Sequence, residues 1–225
     1  MAHMNRSPFS NDIILLAIHW YLRYALSYRD LEEILEERGI EVDHSTINRW
    51  VKRYTPDIEK NFRKRKRPTG GSWRMDETYV KVKGVWKYLY RAVDKEGNTI
   101  DFLLTSKRDT AAAHRFFKKA INNNGVPDKI NIDKSGANKA GIQTYNERNG
   151  FNIEIRECKY LNNIVEQDHR FIKKIIRPML GFKNFNYARI TLAGIEIVRM
   201  IKKGQLCLEN SANLTVAEQF YSLAF

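Results

Sequence analysis

Apolar residues in the first sixty positions recur at helical spacing and divide into three segments. Asn11 to Arg23 reads as one helix, and Ile13 to Leu22 is its most apolar stretch. A second helix follows Ser27, a residue type that caps helix N-termini; Leu31, Ile34 and Leu35 form its stripe, and Gly39 stops it. A third starts near His44 or Ser45. It carries Ile47, Trp50, Val51 and Tyr54 at i, i+3, i+4 and i+7, with Thr46, Asn48, Arg49, Lys52 and Arg53 on its other face. From Trp73 the pattern alternates instead, predicting strands over Trp73–Lys83, Trp86–Asp94 and Thr99–Thr105, with turns at Gly84 and at Asp94-Lys95-Glu96-Gly97-Asn98. A helix over Thr110–Asn122, a strand over Lys129–Asp133, a helix over Ala137–Asn149 and a strand over Asn152–Glu157 follow. Then come a helix over Tyr160–Ile176, a loop over Gly181–Tyr187 and a last helix over Ile190–Lys203. The order β-β-β-α-β-α-β-α is an α/β layout, three meandering strands leading into strands linked by helices.

Two short helices joined by a turn, the later one pairing an apolar seam with a basic and amide-bearing face, describe a helix-turn-helix. Asn48, Arg49, Lys52 and Arg53 then face DNA, since Asn and Arg bond bidentately to adenine and guanine edges in the major groove. A plain helical bundle with a charged surface is the competing account. The run Arg63-Lys64-Arg65-Lys66-Arg67, followed by Pro68-Thr69-Gly70-Gly71-Ser72, marks the domain boundary, because five adjacent cations repel and Pro, Gly and Ser make a joint. The expected division is residues 1–62 for the helical domain, 63–72 for a basic flexible linker, 73–205 for the α/β domain and 206–225 for a tail, either a helix packed on the core or a dimer contact. The basic run itself serves as a phosphate-contacting arm or as a solubilising linker. Met1-Ala2-His3-Met4 reads as a cloning scar ahead of a natural start at Met4.

Charge sharpens this picture. Lys and Arg number 39 against 26 Asp and Glu, a formal charge of +13 that favours a polyanionic partner, most simply nucleic acid. The apolar stretches are too short to cross a bilayer, and no basic region followed by an apolar run and a small-residue cleavage site opens the chain. Two cysteines, Cys158 and Cys207, in unrelated contexts fit a reducing cytoplasm, and with no CxxC pair structural zinc is not expected.

Candidate chemistry lies with acids in the α/β part. Alternation puts Asp76 on one side of the first strand with Thr78, Val80 and Val82, an inward-leaning position where a carboxylate needs a partner or a metal; Glu77, Tyr79, Lys81 and Lys83 read as surface. Asp133 ends a strand, where open α/β sheets gather active groups, although a helix cap or turn residue is the plain alternative. Glu166 sits on a helix whose buried side is Leu161, Ile164, Val165, Ile172 and Ile176, and Asn162, His169, Arg170 and Lys173 share its polar face. A carboxylate beside cations suits an enzyme holding a metal and a phosphate backbone, and a solvated face with a Glu-to-Arg pair is the plainer reading. Asp94, Asp101, Asp128 and Asp168 read as turn or surface residues. Three hard-oxygen donors, Asp76, Asp133 and Glu166, suit Mg²⁺ or Mn²⁺, and two such ions roughly 3.5–4 Å apart serve in-line displacement.

The segments Trp73-Arg74-Met75-Asp76-Glu77-Thr78-Tyr79, Tyr88-Leu89-Tyr90-Arg91-Ala92-Val93-Asp94, and Lys159 to His169 followed by Lys173 resemble those of DDE transposases of small bacterial insertion sequences, in the insertion-sequence family six group. The resemblance covers Asn11 to Gln205. It implies an N-terminal helix-turn-helix and an RNase H-like (retroviral-integrase-like) catalytic domain, a mixed five-stranded sheet with flanking helices. It implies Asp76, Asp133 and Glu166 as the metal-binding triad for two Mg²⁺ ions and no organic cofactor, and Lys173 as a contact to terminal DNA, with Arg170 and Asn162 beside it. It also implies at least a dimer acting on terminal inverted repeats and target DNA, with replicative, cointegrate-forming joining. Thirty-two residues separate Asp133 from Glu166, about two fewer than is usual in the group, and the shortening is expected near Glu147 to Asn152. Two rivals from other classes stand beside this reading: a non-catalytic DNA-binding regulator, and a metal-dependent nuclease that cuts without joining.

Overall fold

A computed structural model of the chain describes residues 7–133, 136–208 and 213–224. The presumed scar Met1–Met4, Lys134 and Ser135 of the loop after Asp133, and the terminal Phe225 lie outside them. The chain forms two compact units, Met1–Arg67 with Ile172–Phe225, and Pro68–Phe171. The break between Arg67 and Pro68 falls inside the 63–72 segment expected as the boundary. The last long helix and the tail group with the N-terminal helices, so the first unit is discontinuous and the α/β unit ends at Phe171, well short of residue 205.

The first unit is all helical. Helix α1 spans Asn11–Arg23, α2 Tyr28–Glu36 and α3 His44–Lys64. Ser10 and Asp43 cap α1 and α3, while Ser27 and Asp30 form a capping box on α2. Gly39, at φ 72, takes the left-handed conformation that ends the α2 turn. Helix α3 is not short: it runs for 21 residues. Its length absorbs the start of the basic run, because Arg63 pairs with Glu59 one turn back at 2.8 Å. Beyond it, the Arg67 N–H donates to the Gln205 carbonyl at 2.9 Å and the Cys207 N–H to the Arg65 carbonyl at 2.7 Å. Residues 63–67 are therefore tied by backbone hydrogen bonds, against the expectation of a flexible linker there.

Helix α7, Phe185–Lys202, begins inside the segment expected to be loop, because the Asn184 side chain accepts from the N–H groups of Asn186 and Tyr187. It is buried almost all round, and a Cβ added at Gly194 would meet Leu22 Cδ1 at 2.6 Å and Thr55 Cγ2 at 3.0 Å, so α1 and α3 pass close to it there. In the tail, α8 (Val216–Tyr221) buries Phe220 against the ring of His19, 5.2 Å between centroids. Between the two readings of the tail, the chain itself uses it as a helix packed on the core.

The second unit holds strands β1 (Ser72–Val82), β2 (Val85–Val93), β3 (Thr99–Thr105), β4 (Lys129–Ile132) and β5 (Glu154–Glu157). They form the mixed five-stranded sheet with flanking helices expected of the RNase H-like fold, in the order β3-β2-β1-β4-β5. The first three strands pair antiparallel, and β1, β4 and β5 run parallel. Lys83 and Gly84, both at positive φ, make the two-residue β1–β2 turn, whose twist matches that of the strands. Helices α4 (Thr110–Asn124) and α5 (Gly136–Asn149) complete the crossovers. Trp73, Met75, Tyr90 and Ala92 of the sheet pack against Ala112, Phe116, Phe117 and Ala120 of α4 and Ile142 and Tyr145 of α5. Helix α6, Asn163–Ile176, follows a 3₁₀ turn at Lys159–Asn162. No described helix is long and apolar enough to cross a membrane.

Gly141 sets the α4–α5 approach, because a Cβ there would lie 2.9 Å from the Ala113 Cβ and 3.3 Å from the His114 nitrogen. Gly141→Val is expected to lower stability by about 1–3 kcal/mol through overpacking, read as a reduced midpoint in urea unfolding.

Candidate active site

The parallel register of β1 and β4 pairs Arg74 with Asn131. Two residues further along lie Asp76 on β1 and Asp133 just past the end of β4, so the pairing brings these acids close together. Asp76, Glu77 and Asp133 can each offer one carboxylate oxygen such that all three lie within 4.8 Å of one another. Glu166, exposed in the first turn of α6, stands outside that tight group, yet its charge is among those that act on Asp76. Two of the three acids expected from the sequence, Asp76 and Asp133, thus meet, joined by Glu77, while Glu166 bears on Asp76 through its charge.

Glu77 corrects the sequence reading. It was expected at the surface with Tyr79 and Lys81, but its side chain is only 4% exposed. Alternation puts it in line with Trp73 and Met75, which are core residues, so both faces of β1 are covered at this point. Arg108, which no pattern in the sequence singles out, spans the acids: its Nε lies 3.1 Å from Glu77 Oε1 and its Nη2 3.5 Å from Asp133 Oδ2.

Crowding of like charges in a half-buried place shows in the acidities. Asp76 is pushed up from 3.8 to about 7, mainly by burial; the charges of Glu77, Asp133 and Glu166 add to this, against a backbone hydrogen bond at Glu77. Burial raises Glu77 as well, partly offset by Arg108. Burial works against the Arg108 charge, and Glu77 and Asp133 more than compensate, leaving it raised. Glu77 Oε2 and Asp133 Oδ1 are buried without a hydrogen-bond partner among the described residues. Unsatisfied carboxylate oxygens turned into a site of excess negative charge are what a hard divalent cation takes as ligands, so the donor set fits one. Arg108 already neutralises part of that charge, and a cation entering there competes with it.

What holds α6 over this face is polar and buried. Arg91 is the cross-strand neighbour of Asp76, and its Nη2 donates to Asp168 Oδ2 at 2.6 Å, with side chains 0% and 5% exposed. His169 brings Nδ1 to 3.6 Å from Asp76 Oδ2. Asn162 is buried as well: its carbonyl accepts from Asn131 Nδ2 at 2.7 Å and its amide donates to the Met75 carbonyl at 3.4 Å. Asn162 and His169 therefore leave the solvent-facing stripe to which periodicity assigned them, and Asn162, expected to contact DNA, braces β1 and β4 instead. Asp168 is a buried ion-pair partner rather than a surface residue, and Ile164, expected in the core, is exposed. Asp94 and Asp101 are likewise buried. Asp94 accepts from the N–H groups of Gly70, Glu96 and Asn98, holding the β2–β3 turn, and Asp101 pairs with Lys119 at 3.2 Å.

Arg170 and Lys173 are exposed on α6, as expected. On α3, Arg49 and Arg53 are exposed. Asn48 hydrogen-bonds Tyr28, and the Lys52 ammonium lies 3.8 Å from the centre of the Tyr187 ring, so both are partly committed within their own unit. In the basic run Lys64 and Arg67 are exposed, Arg63 is paired with Glu59, Arg65 reaches the Ser222 carbonyl at 3.3 Å, and Lys66 bridges to Leu206.

Comparison with known proteins bears on this arrangement. A family model described as a DDE domain matches residues 70–205. The transposase for insertion sequence-like element IS431mec of Staphylococcus aureus (strain N315) is 41% identical over 214 residues, covering 93% of each chain. The transposase for insertion sequence element IS257 in transposon Tn4003, also of Staphylococcus aureus, matches at the same identity and coverage. Among solved structures, the HTLV-2 integrase catalytic core domain in complex with magnesium (trimeric form) is 20% identical, with a TM-score of 0.45 over 67% of this chain and 95% of that one. These matches define a DDE-type polynucleotidyl transferase. The chain belongs to the DDE transposases of small bacterial insertion sequences, in the insertion-sequence family six group.

Asp168→Ala takes a carboxylate away from the buried Arg91 charge, and is expected to cost about 3–5 kcal/mol in urea unfolding; replacing both partners, Arg91→Met with Asp168→Leu, should recover most of that loss. Asp76 supplies a second expectation. Its folded value of about 7 exceeds the ordinary 3.8, so the metal-free native state binds the extra proton between these values. Stability from this group is complete below about pH 4 and is lost as pH rises through about 7. Asp76→Asn should accordingly melt about 2–6 °C above the wild type at pH 8 without metal and match it near pH 4, by thermal scans across pH.

Proposed function

We propose that Asp76, Asp133 and Glu166 are the catalytic acids of an Mg²⁺-dependent reaction that cuts DNA at the element's terminal inverted repeats and joins the freed end to target DNA. The observation that carries this reading is the meeting of Asp76 and Asp133 at one sheet position, with Glu166 near enough for its charge to act on Asp76. Asp76, Asp133 and Glu166 would hold two divalent cations, with Glu77 beside them. Bound there, such ions supply Lewis-acid activation of the attacking oxygen and stabilise the leaving one in an in-line displacement.

In the first step an oxygen of water bonds to phosphorus at the element end and the P–O3′ bond breaks, leaving a 3′-hydroxyl. In the second, that 3′-hydroxyl attacks a target phosphodiester and a target 3′-oxygen leaves. One phosphodiester is made for each one broken, so joining needs no external energy source and no covalent enzyme intermediate. His169, close to Asp76, and the Arg91–Asp168 pair position the acids without touching the reacting atoms. Exposed Arg49 and Arg53 on α3 read the terminal repeats in a helix-turn-helix manner, and Lys173, Arg170, Lys64 and Arg67 contact phosphates. A two-ended substrate calls for at least a dimer, and the joined product is a cointegrate. The setting is the bacterial cytoplasm.

Purified protein with end-labelled terminal-repeat DNA and Mg²⁺ should give nicked and then joined strands. Asp133→Asn is expected to abolish both while leaving retardation of the DNA intact. Cutting by the variant would remove Asp133 from the proposed triad; retardation alone by the wild type would make the chain a regulator, and nicking without joining a nuclease.

A further inference from the structure

The β1–β2 hairpin carries a surface that the chemistry above does not use. In its register Glu77 pairs with Tyr90, Tyr79 with Tyr88 and Lys81 with Trp86, so these six side chains share one face of the sheet. The stripe begins inside the carboxylate cluster at Glu77 and reaches Lys81, about 13 Å away at 3.3 Å per residue. Near the cluster it is buried, and toward the tip it opens: Tyr79 is 49% and Trp86 57% exposed. The rings contact one another, with Tyr79 5.4 Å from Tyr88 and 6.4 Å from Trp86 between centroids, and the Lys81 ammonium lies 5.8 Å from the centre of the Trp86 ring. Residues 78–90 include Lys81, Lys83 and Lys87 and no carboxylate.

Large rings left in water at a strand end need an occupant, and charge selects it. A second copy of the hairpin would set three lysines against three lysines. A polyanion with flat π faces suits both components, its bases stacking on the rings and its phosphates meeting the lysines. In a duplex the base faces are already stacked on one another, so the matching ligand is unpaired. We propose that Tyr79, Tyr88 and Trp86, with Lys81, form a stacking platform for unpaired nucleotides that adjoin the DNA end held at the carboxylate cluster. What lies at the cluster rests on the function proposed above; the platform itself rests on the hairpin.

The test is binding of the full chain in metal-free buffer, by fluorescence anisotropy, to a labelled blunt duplex and to the same duplex with a single-stranded thymidine extension. The wild type should favour the extended duplex. Trp86→Ala should weaken binding to the extended duplex about tenfold, leave the blunt duplex unchanged, and be rescued by Trp86→Phe, which keeps a ring. Equal weakening on both substrates, no weakening, or failure of the Phe rescue overturns the platform. So does a shift in self-association of Trp86→Ala by sedimentation equilibrium, which would mark the stripe as a contact between copies. No cutting is read in this assay, so if Asp133→Asn still cuts while the extension preference holds, only the triad falls.

Discussion

The ion pair between Arg91 and Asp168 is the interaction on which the site depends. Arg91 stands beside Asp76 on the neighbouring strand, and Asp168 lies two residues beyond Glu166 on α6. One buried contact therefore fixes the distance between the strand that carries one acid and the helix that carries another. An apolar contact would hold the helix as firmly but would tolerate a slip along or around its axis. A short guanidinium–carboxylate bond with almost no exposure accepts one register, which suits a place where carboxylate positions matter within fractions of an ångström. Asn162, six residues before Asp168, adds a buried polar link from the 3₁₀ turn ahead of the helix to both β1 and β4.

Around that fixed frame the acids are held in a disfavoured arrangement. Asp76, Glu77 and Asp133 crowd together in a half-buried place, and burial first, with the neighbouring charges adding to it, pushes the Asp76 pKa up. The chain tolerates this by two means. It protonates where it can, and it supplies an internal cation, Arg108, from the β3–α4 connection. Since that side chain is about a third exposed and comes from a loop, it can yield its position in a way that the sealed Arg91 cannot. The molecule thus separates cations that build the site from a cation that occupies it.

Much of this was legible in the sequence, and the misses have particular causes. Alternation located Asp76 correctly because Thr78, Val80 and Val82 mark a buried face. The same rule misplaced Glu77, since β1 is covered on both sides at that height and a period of two cannot tell two buried faces from one. On α6 the helical period gave Val165 and Ile172 as core, yet Asp168 and His169 are also buried, because the pocket beneath them is polar and a hydrophobicity pattern is blind to that. The loop expected from Gly181 hid a helix start whose only signal was Asn184 as a cap. The boundary at the basic run was legible, since the units part between Arg67 and Pro68, but the grouping of α7 was not. A unit assembled from both ends of a chain leaves no mark in local composition, so α7 was assigned by adjacency to the sheet that precedes it in sequence.

The hairpin makes the complementary point about what exposure means. Within the sheet, Trp73 and Tyr90 are aromatic because the α4–α5 core needs their volume, and their burial accounts for them fully. Tyr79 and Trp86 lie on the same face only a few residues further out, past the end of the helices' cover, and retain ring size with nothing of the fold to fill. A strand end with no further demand than solubility would carry Thr, Lys or Glu at such positions, and this one does carry lysines, between the rings rather than in place of them. Retaining both apolar surface and uniform positive charge at the tip works against the fold on two counts, through hydration of the rings and through repulsion among Lys81, Lys83 and Lys87. The hairpin's physical chemistry is accordingly not set by the fold alone, and this is what the nucleotide platform proposed above accounts for.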